Sequence, residues 1–248
     1  MKILITGGAG SIGKAFARML HKDHKIIVID SNEWAVAELK KDFPEMEVIL
    51  GDFANYDFYH NPDLVIHCAA YKHINLGEEN PEAFIENNII KTMDFFKACN
   101  ERGIDFIFIS TDKAVRPISL YGSTKYIGEK LTYYYGGVVA RLGNVIGSSG
   151  SFIPIWEKCI REERPIPITD EKMVRYFIEE MDAVSQIWAL YHQGERTIIP
   201  VMEKVRLLDM LAKVLKKHGY ESANDYTPGV EIIGIRPGEK LKEELEWD

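Results

Sequence analysis

A glycine cluster between two apolar stretches constrains this chain more than any other feature. Gly7-Gly8-Ala9-Gly10-Ser11-Ile12-Gly13 follows Lys2–Thr6 (KILIT), which reads as a buried strand, and opens Ser11–His21, which reads as a helix. The run fits both G-x-x-G-x-x-G from Gly7 and G-x-G-x-x-G from Gly8. Glycine at these spacings permits a tight turn, close approach of the backbone to a pyrophosphate, and close helix–strand packing. The helix start turns its free amides and positive dipole end toward the phosphates. A plain strand–helix turn carries the same glycines, so the context decides. Asp30 ends the next strand, Lys25–Asp30 (KIIVID), about 20 residues on, where a ribose-binding carboxylate belongs. A dinucleotide site is therefore expected at Gly7, Gly10, Ser11, Ile12, Gly13 and Asp30. A carboxylate at Asp30 repels a 2′-phosphate and Ser31 offers no compensating arginine, which favours NAD over NADP; Lys14 keeps NADP open. Asp52 and Phe53, after the third strand, read equally as adenine contacts or as an ordinary turn.

The first half continues the alternation. Glu33–Lys41, Pro81–Arg102 and Tyr121–Tyr135 read as helices; Glu47–Leu50, Leu64–Cys68, Asp105–Ser110 and Val138–Arg141 read as strands. Continuous apolar strands alternating with helices predict an α/β fold of the Rossmann type, a doubly wound parallel sheet covered on both faces. After Gly143 the rhythm changes. Gly147–Gly150 (GSSG) is turn-like, Ile153–Arg161 helical, Arg164–Thr169 extended by its prolines, Leu207–Lys217 helical, and Gly234–Lys240 a Gly/Pro-rich loop. We expect a dinucleotide-binding domain over 1–145, its sheet joined again by about 175–202, and a small interleaved C-terminal substrate lobe over 146–174 and 203–248.

The formal net charge of −8 argues against a nucleic-acid surface. Three widely spaced cysteines without a C-x-x-C suit a reduced interior and neither a disulfide framework nor a zinc site. No apolar run approaches the ~20 residues that span a bilayer. With a strand starting at the N-terminus, a cytoplasmic protein without membrane, nucleic-acid or metal partners is expected.

Tyr121 and Lys125 in YGSTK stand at i and i+4, on one helix face. A neighbouring ammonium stabilises a phenolate, which suits tyrosine to act as a base. They follow the Ser110–Thr111 strand end, where a parallel sheet binds ligands and a threonine hydroxyl can join the tyrosine. Asp112 and Lys113 come next. They read either as a surface turn or as an acid and a base; hydride transfer alone needs no such pair, whereas loss of water across two carbons needs both.

The blocks TGGAGSIG (6–13), HCAAYKHINLGEENP (67–81), STDKAVRPISLYGSTK (110–125), RLGNVIGSSGSFIP (141–154) and GIRPGEKL (234–241) resemble extended short-chain dehydrogenase/reductases. Specifically, they resemble the UDP-N-acetylglucosamine 4,6-dehydratases of the polysaccharide biosynthesis family. In relatives acting on other nucleotide sugars the residue after the aspartate is glutamate, so Lys113 points to the N-acetylglucosamine branch. The resemblance implies a redox-neutral cycle on a tightly held cofactor. Tyr121, assisted by Thr111 and Lys125, takes the C4 hydroxyl proton during C4 oxidation; Lys113 removes the C5 proton; Asp112 protonates the leaving C6 hydroxyl; hydride returns to C6. To act as base Lys113 must be neutral, which demands a depressed pKa. The resemblance also places Ala69 beside the cofactor, Lys72 and Asn144 at the substrate, His73 at the substrate or in a structural role, and Arg141, Arg236 and Glu239 around pyrophosphate, uridine or ribose. It implies a UDP-sugar substrate and a homo-oligomer. Two departures are Leu142 for the usual tyrosine and Ser149 for the usual arginine. The C5 outcome is open: Tyr121 resembles the inverting branch, the Asp30 region the retaining one. A nucleotide-sugar 4-epimerase or 4-ketoreductase, and a non-catalytic NAD(P)-binding module, are the competing readings.

Overall fold

The strand and helix alternation closes into a seven-stranded, wholly parallel sheet. The computed structural model describes residues 1–148 and 152–247. The strands are β1 (Lys2–Thr6), β2 (Lys25–Asp30), β3 (Glu47–Leu50), β4 (Leu64–His67), β5 (Asp105–Thr111), β6 (Val138–Leu142) and β10 (Thr197–Ile198), in the order β3-β2-β1-β4-β5-β6-β10. That order reverses between β1 and β4, the point at which open parallel sheets form a ligand crevice.

Alternating side chains of one strand feed two cores. Ile3 and Ile5 of β1 pack with α1 (Ser11–Leu20), α2 (Glu33–Asp42) and α8 (Glu180–His192). Leu4 packs on the opposite, aromatic side with Phe95, Phe96, Phe106 and Phe108. Residues 81–101, expected as one helix, are α4 (Pro81–Ile85), a π turn (Glu86–Ile90) and α5 (Lys91–Glu101), preceded by the short α3 (Ile74–Glu79). The π turn carries buried Asn88. Its amide accepts from Tyr71 N at 2.8 Å and donates to Tyr71 O at 2.8 Å and Thr124 Oγ1 at 3.2 Å. It thereby ties the loop after β4 to α6 (Leu120–Tyr134), as π bulges at functional sites often do.

Of residues 175–202, only Thr197–Ile198 joins the main sheet. β9 (Val174–Glu179) lies between β7 (Asn144–Ile146) and β11 (Glu203–Arg206) in a three-stranded sheet, and α8 covers the parallel one. A third core joins α7 (Phe152–Arg161), β8 (Ile166–Ile168) and α9 (Leu207–Lys217) around Trp156, Leu211 and Tyr226, with β12 (Val230–Ile232) paired to β8. Among the described residues no helix is long and apolar enough to cross a membrane.

A histidine ring sits among the side chains of the aromatic core. His67 is fully buried, its Nδ1 2.8 Å from Thr6 Oγ1, with Phe53, Phe95, Phe96 and Phe108 around it. Burial, with the Lys125 charge adding to it, holds its pKa well below 6.5. The folded protein thus keeps His67 neutral while the unfolded chain binds a proton below that value, so stability falls as pH falls through the unfolded pKa. From pH 7 to 5 the expected cost is about 2 kcal/mol for this one residue. Urea melts should show His67→Gln with a shallower pH slope over that interval; parallel slopes would exclude a neutral buried ring.

Candidate active site

The glycine loop and the tips of β1, β2, β4 and β5 enclose a cleft of about 510 Å³. Gly7, Gly10, Ser11, Ile12, Gly13, Asp30, Asp52, Phe53 and Ala69 all line it. Gly7 has φ +62°, and a Cβ there would stand 2.6 Å from Ala69 N, so only glycine lets β1 meet the loop after β4. At Gly10, by contrast, a Cβ would meet only Gly7 O at 3.3 Å, leaving backbone bare where a pyrophosphate would approach. Asp30 is fixed by Ala9 N (3.1 Å) and Asn32 N (2.9 Å). Lys14 is paired with Asp42 at 2.5 Å and does not line the cleft. Asp52 caps a short turn through Ala54 N (3.0 Å) and pairs with Lys91 at 2.5 Å. This arrangement of bare backbone, helix amides and a carboxylate at a strand end fits a dinucleotide.

At the other end of the cleft β5 delivers Thr111, and a single 3-10 turn, Asp112–Ala114, follows. Helix α6 is capped by Ser119 Oγ, which accepts from Gly122 N at 3.0 Å. The glycine of YGSTK is required because a Cβ at Gly122 would stand 2.4 Å from Lys113 O. The tyrosine helix therefore seats directly on the backbone of the Asp112–Ala114 turn. Thr111, Lys113, Tyr121, Lys125, Lys72 and Asn144 line the cleft. A second chamber of about 560 Å³ shares Lys72, His73, Lys113 and Asn144 with it and adds Arg236 and Glu239. The site residues inferred from sequence thus converge on two joined chambers, with two exceptions.

The first is Arg141, expected at the pyrophosphate. It is 3% exposed and lines neither chamber. Its guanidinium grips Glu129 through Nε (3.0 Å) and Nη2 (2.6 Å) and donates to Leu245 O. A buried carboxylate on the adjacent helix claims the fork, so Arg141 is a structural residue. The second is Asp112, which is wholly buried behind Lys113 and lines neither chamber. Its Oδ1 accepts from Thr111 Oγ1 and Lys113 Nζ, both at 2.9 Å, and its Oδ2 has no hydrogen-bond partner among the described residues. Ser149 lies outside the described residues.

The electrostatics also differ from expectation. Burial pulls the Lys113 pKa down, yet the charges of Asp112 and Glu243 outweigh it and the net shift is upward, not the depression a resting base requires. Burial pushes Tyr121 up to about 12, opposed by the Lys113 charge and a Thr111 hydrogen bond. The ammonium whose field reaches the phenol is thus Lys113. Lys125 instead rests 4.0 Å over the Phe108 ring, and burial brings it down to about 7.

Two residues of the second chamber were not singled out in the sequence. Arg175, 6% exposed, holds the 240–241 backbone through Lys240 O at 2.8 Å and Leu241 O at 3.3 Å. Glu243 reaches Lys113 from the same tail. Both sit in runs of mixed charge that read as solvated surface, and only the tertiary fold buries them.

Comparison with known proteins agrees with this architecture. Residues 3–248 match the family model described as "Polysaccharide biosynthesis protein". A UDP-N-acetylglucosamine 4,6-dehydratase (inverting) of Campylobacter jejuni subsp. jejuni serotype O:2 is 35% identical over 97% of this chain and 76% of its own length. A UDP-glucose 4-epimerase of Rickettsia massiliae is 30% identical over 98% of this chain and 76% of its own. The structure of a UDP-glucuronic acid 4-epimerase from Bacillus cereus, in complex with UDP-glucuronic acid and NAD, superposes with a TM-score of 0.88. It covers 99% of this chain and 90% of its own at 23% identity, which speaks for the fold.

Proposed function

This chain belongs to the polysaccharide biosynthesis protein family of short-chain dehydrogenase/reductases, and from that premise we propose that it is a UDP-N-acetylglucosamine 4,6-dehydratase using NAD. The observation that carries the reading is the Asp112–Lys113 pair: an amine lining both chambers, hydrogen-bonded at 2.9 Å to a wholly buried carboxylate. A 4-epimerase or ketoreductase has no use for it. The relatives and the UDP-sugar-bound neighbour support the substrate class. Asp30 favours NAD, since its fixed carboxylate would repel a 2′-phosphate and Lys14 is already paired.

Gly7, Gly10, Ser11, Ile12, Gly13 and Asp30 would hold the dinucleotide, which would supply reversible hydride acceptance for the C4 oxidation and the reduction at C6. The protein supplies the proton movements. Tyr121 takes the C4 hydroxyl proton, with Thr111 and the Lys113 charge easing its ionisation. Moving one proton from the Lys113 ammonium to Asp112 across 2.9 Å turns the resting ion pair into an amine beside a carboxylic acid. Net charge is unchanged, and exclusion of water by substrate favours the exchange because desolvation penalises two charges more than two neutral groups. The amine then takes the C5 proton, the C5–H electron pair becomes the C5=C6 bond, and the C6 hydroxyl leaves as water with the proton from Asp112. Because Asp112 lies behind Lys113, that proton travels through the Thr111 hydroxyl, which contacts Asp112 and lines the cleft. Lys72, Asn144, Arg236 and Glu239 hold the nucleotide sugar.

Purified protein incubated with UDP-GlcNAc in deuterated water, without added reductant, should release a product lighter by one water carrying one solvent deuteron at C5. Unchanged mass with an altered C4 configuration would make it an epimerase, and no turnover with cofactor bound would leave a binding module.

A further inference from the structure

We propose that Glu243 is a positioning residue for water elimination, the second carboxylate on the Lys113 amine, fixing where that amine stands and at what pH it sheds its proton. This rests on the dehydratase reading. The Glu243 side chain is only 2% exposed and lines the second chamber. Its Oε1 is 3.7 Å from Lys113 Nζ and its Oε2 is 3.3 Å from Lys240 Nζ. That Oε2 has no hydrogen-bond partner among the described residues.

Its place is held by backbone. Val174 N donates to Leu241 O at 3.0 Å, Val174 bridges to Lys242, and the Arg175 guanidinium holds the Lys240 and Leu241 carbonyls. A buried carboxylate is costly unless a charge demands it, and Lys113 already has one counter-ion in Asp112. The charged and titratable groups facing Lys113 are Asp112 on its own turn, Tyr121 on α6, Arg175 on β9 and Glu243 on the tail, while Lys240 faces Glu243.

The need for a second carboxylate follows from the chemistry. When Asp112 accepts a proton it ceases to anchor the amine, and when Lys113 takes the C5 proton a new ammonium must be stabilised. Glu243 does both, staying charged while Asp112 changes. A negative charge beside an amine raises the pH at which it becomes neutral. Removing that charge therefore lets Lys113 deprotonate at lower pH, and removing the Lys240 charge, which offsets Glu243, does the reverse.

The test compares wild type, Glu243→Gln and Lys240→Met. Single-turnover water loss from UDP-GlcNAc and C4 oxidation, the latter followed by reduced-cofactor absorbance, are each measured across pH. Lys113 is titrated separately by ¹³Cε NMR in each protein. The ascending limb of water loss should move down by about one pH unit in Glu243→Gln and upward in Lys240→Met, with the oxidation limb moving less because Tyr121 feels Lys113 only through its field. The Lys113 titration should move in the same directions. Should Glu243→Gln not fold, the upward shift in Lys240→Met decides alone. Unmoved limbs, shifts of the same sign in both variants, or equal loss of both steps would overturn the proposal. If wild type loses no water while the titrations still shift, the dehydratase reading fails and takes the elimination role with it. If water loss is intact and the titrations do not shift, Glu243 alone is misassigned.

Discussion

Lys113→Ala should stop water loss from UDP-GlcNAc, by about 10²–10⁴-fold as removal of a general base does, while C4 oxidation proceeds. The two halves separate because the groups are separate: Tyr121 and Thr111 line the first chamber from α6 and β5, whereas Lys113 lines both chambers with its amine against the Asp112 carboxylate. The variant should accumulate reduced cofactor in a single turnover, since hydride leaves C4 and no C5=C6 bond forms to receive it. Burial of Asp112 sharpens the expectation. Without the Lys113 ammonium its carboxylate loses the one charged partner it has within hydrogen-bond reach among the described residues, so the acid is mis-set as well as the base missing. Normal turnover of Lys113→Ala would mean the assigned base is wrong. Loss of oxidation and elimination together would mean that Lys113 serves chiefly to ease Tyr121 ionisation, a role its field on the phenol allows.

Arg141→Met should be among the most destabilising single changes in the chain. It strips the guanidinium from Glu129, a residue 2% exposed whose Oε1 also accepts from Ser110 Oγ at 2.6 Å. Breaking a buried pair from one side costs about 3–5 kcal/mol because the remaining charge is uncompensated. In a chain of this size that lowers Tm by on the order of 10 °C. Glu129→Leu combined with Arg141→Met should recover most of the loss, because two apolar side chains leave no stranded charge. Calorimetry of the single and double variants checks this. A single variant that melts with wild type would contradict the buried pair, and a double variant no better than the single would assign the cost to packing.

The part of the molecule that could be read from sequence is the part whose determinants are local. KILIT, GGAGSIG and KIIVID carry strand, turn and strand within thirty residues, and the spacing of Thr111, Asp112, Lys113, Tyr121 and Lys125 places them on one strand tip and one helix. Arg141 misled because an arginine after an apolar strand looks available to phosphate, and its partner Glu129 is brought alongside only by packing of α6 on β6. The π turn at Glu86–Ile90 was invisible because α4 and α5 share one continuous helical pattern. The sheet of β7, β9 and β11 is built from strands of three to six residues, too short for periodicity to declare a partner. The upward shift at Lys113 owes most to its neighbour Asp112 but also to Glu243, 130 positions away, and no local pattern encodes that second contribution.

The latching of the tail beside the amine also orders events during synthesis. A nascent chain carries every strand of the nucleotide crevice once β5 and β6 have emerged, and can wind that part of its sheet early. Glu243, the loop bearing Arg236 and Glu239, and the Leu245 carbonyl that completes the Arg141 pocket are all translated after those strands. On the dehydratase reading, a protein assembled in that order would complete its nucleotide crevice before the groups that act on the sugar are in place.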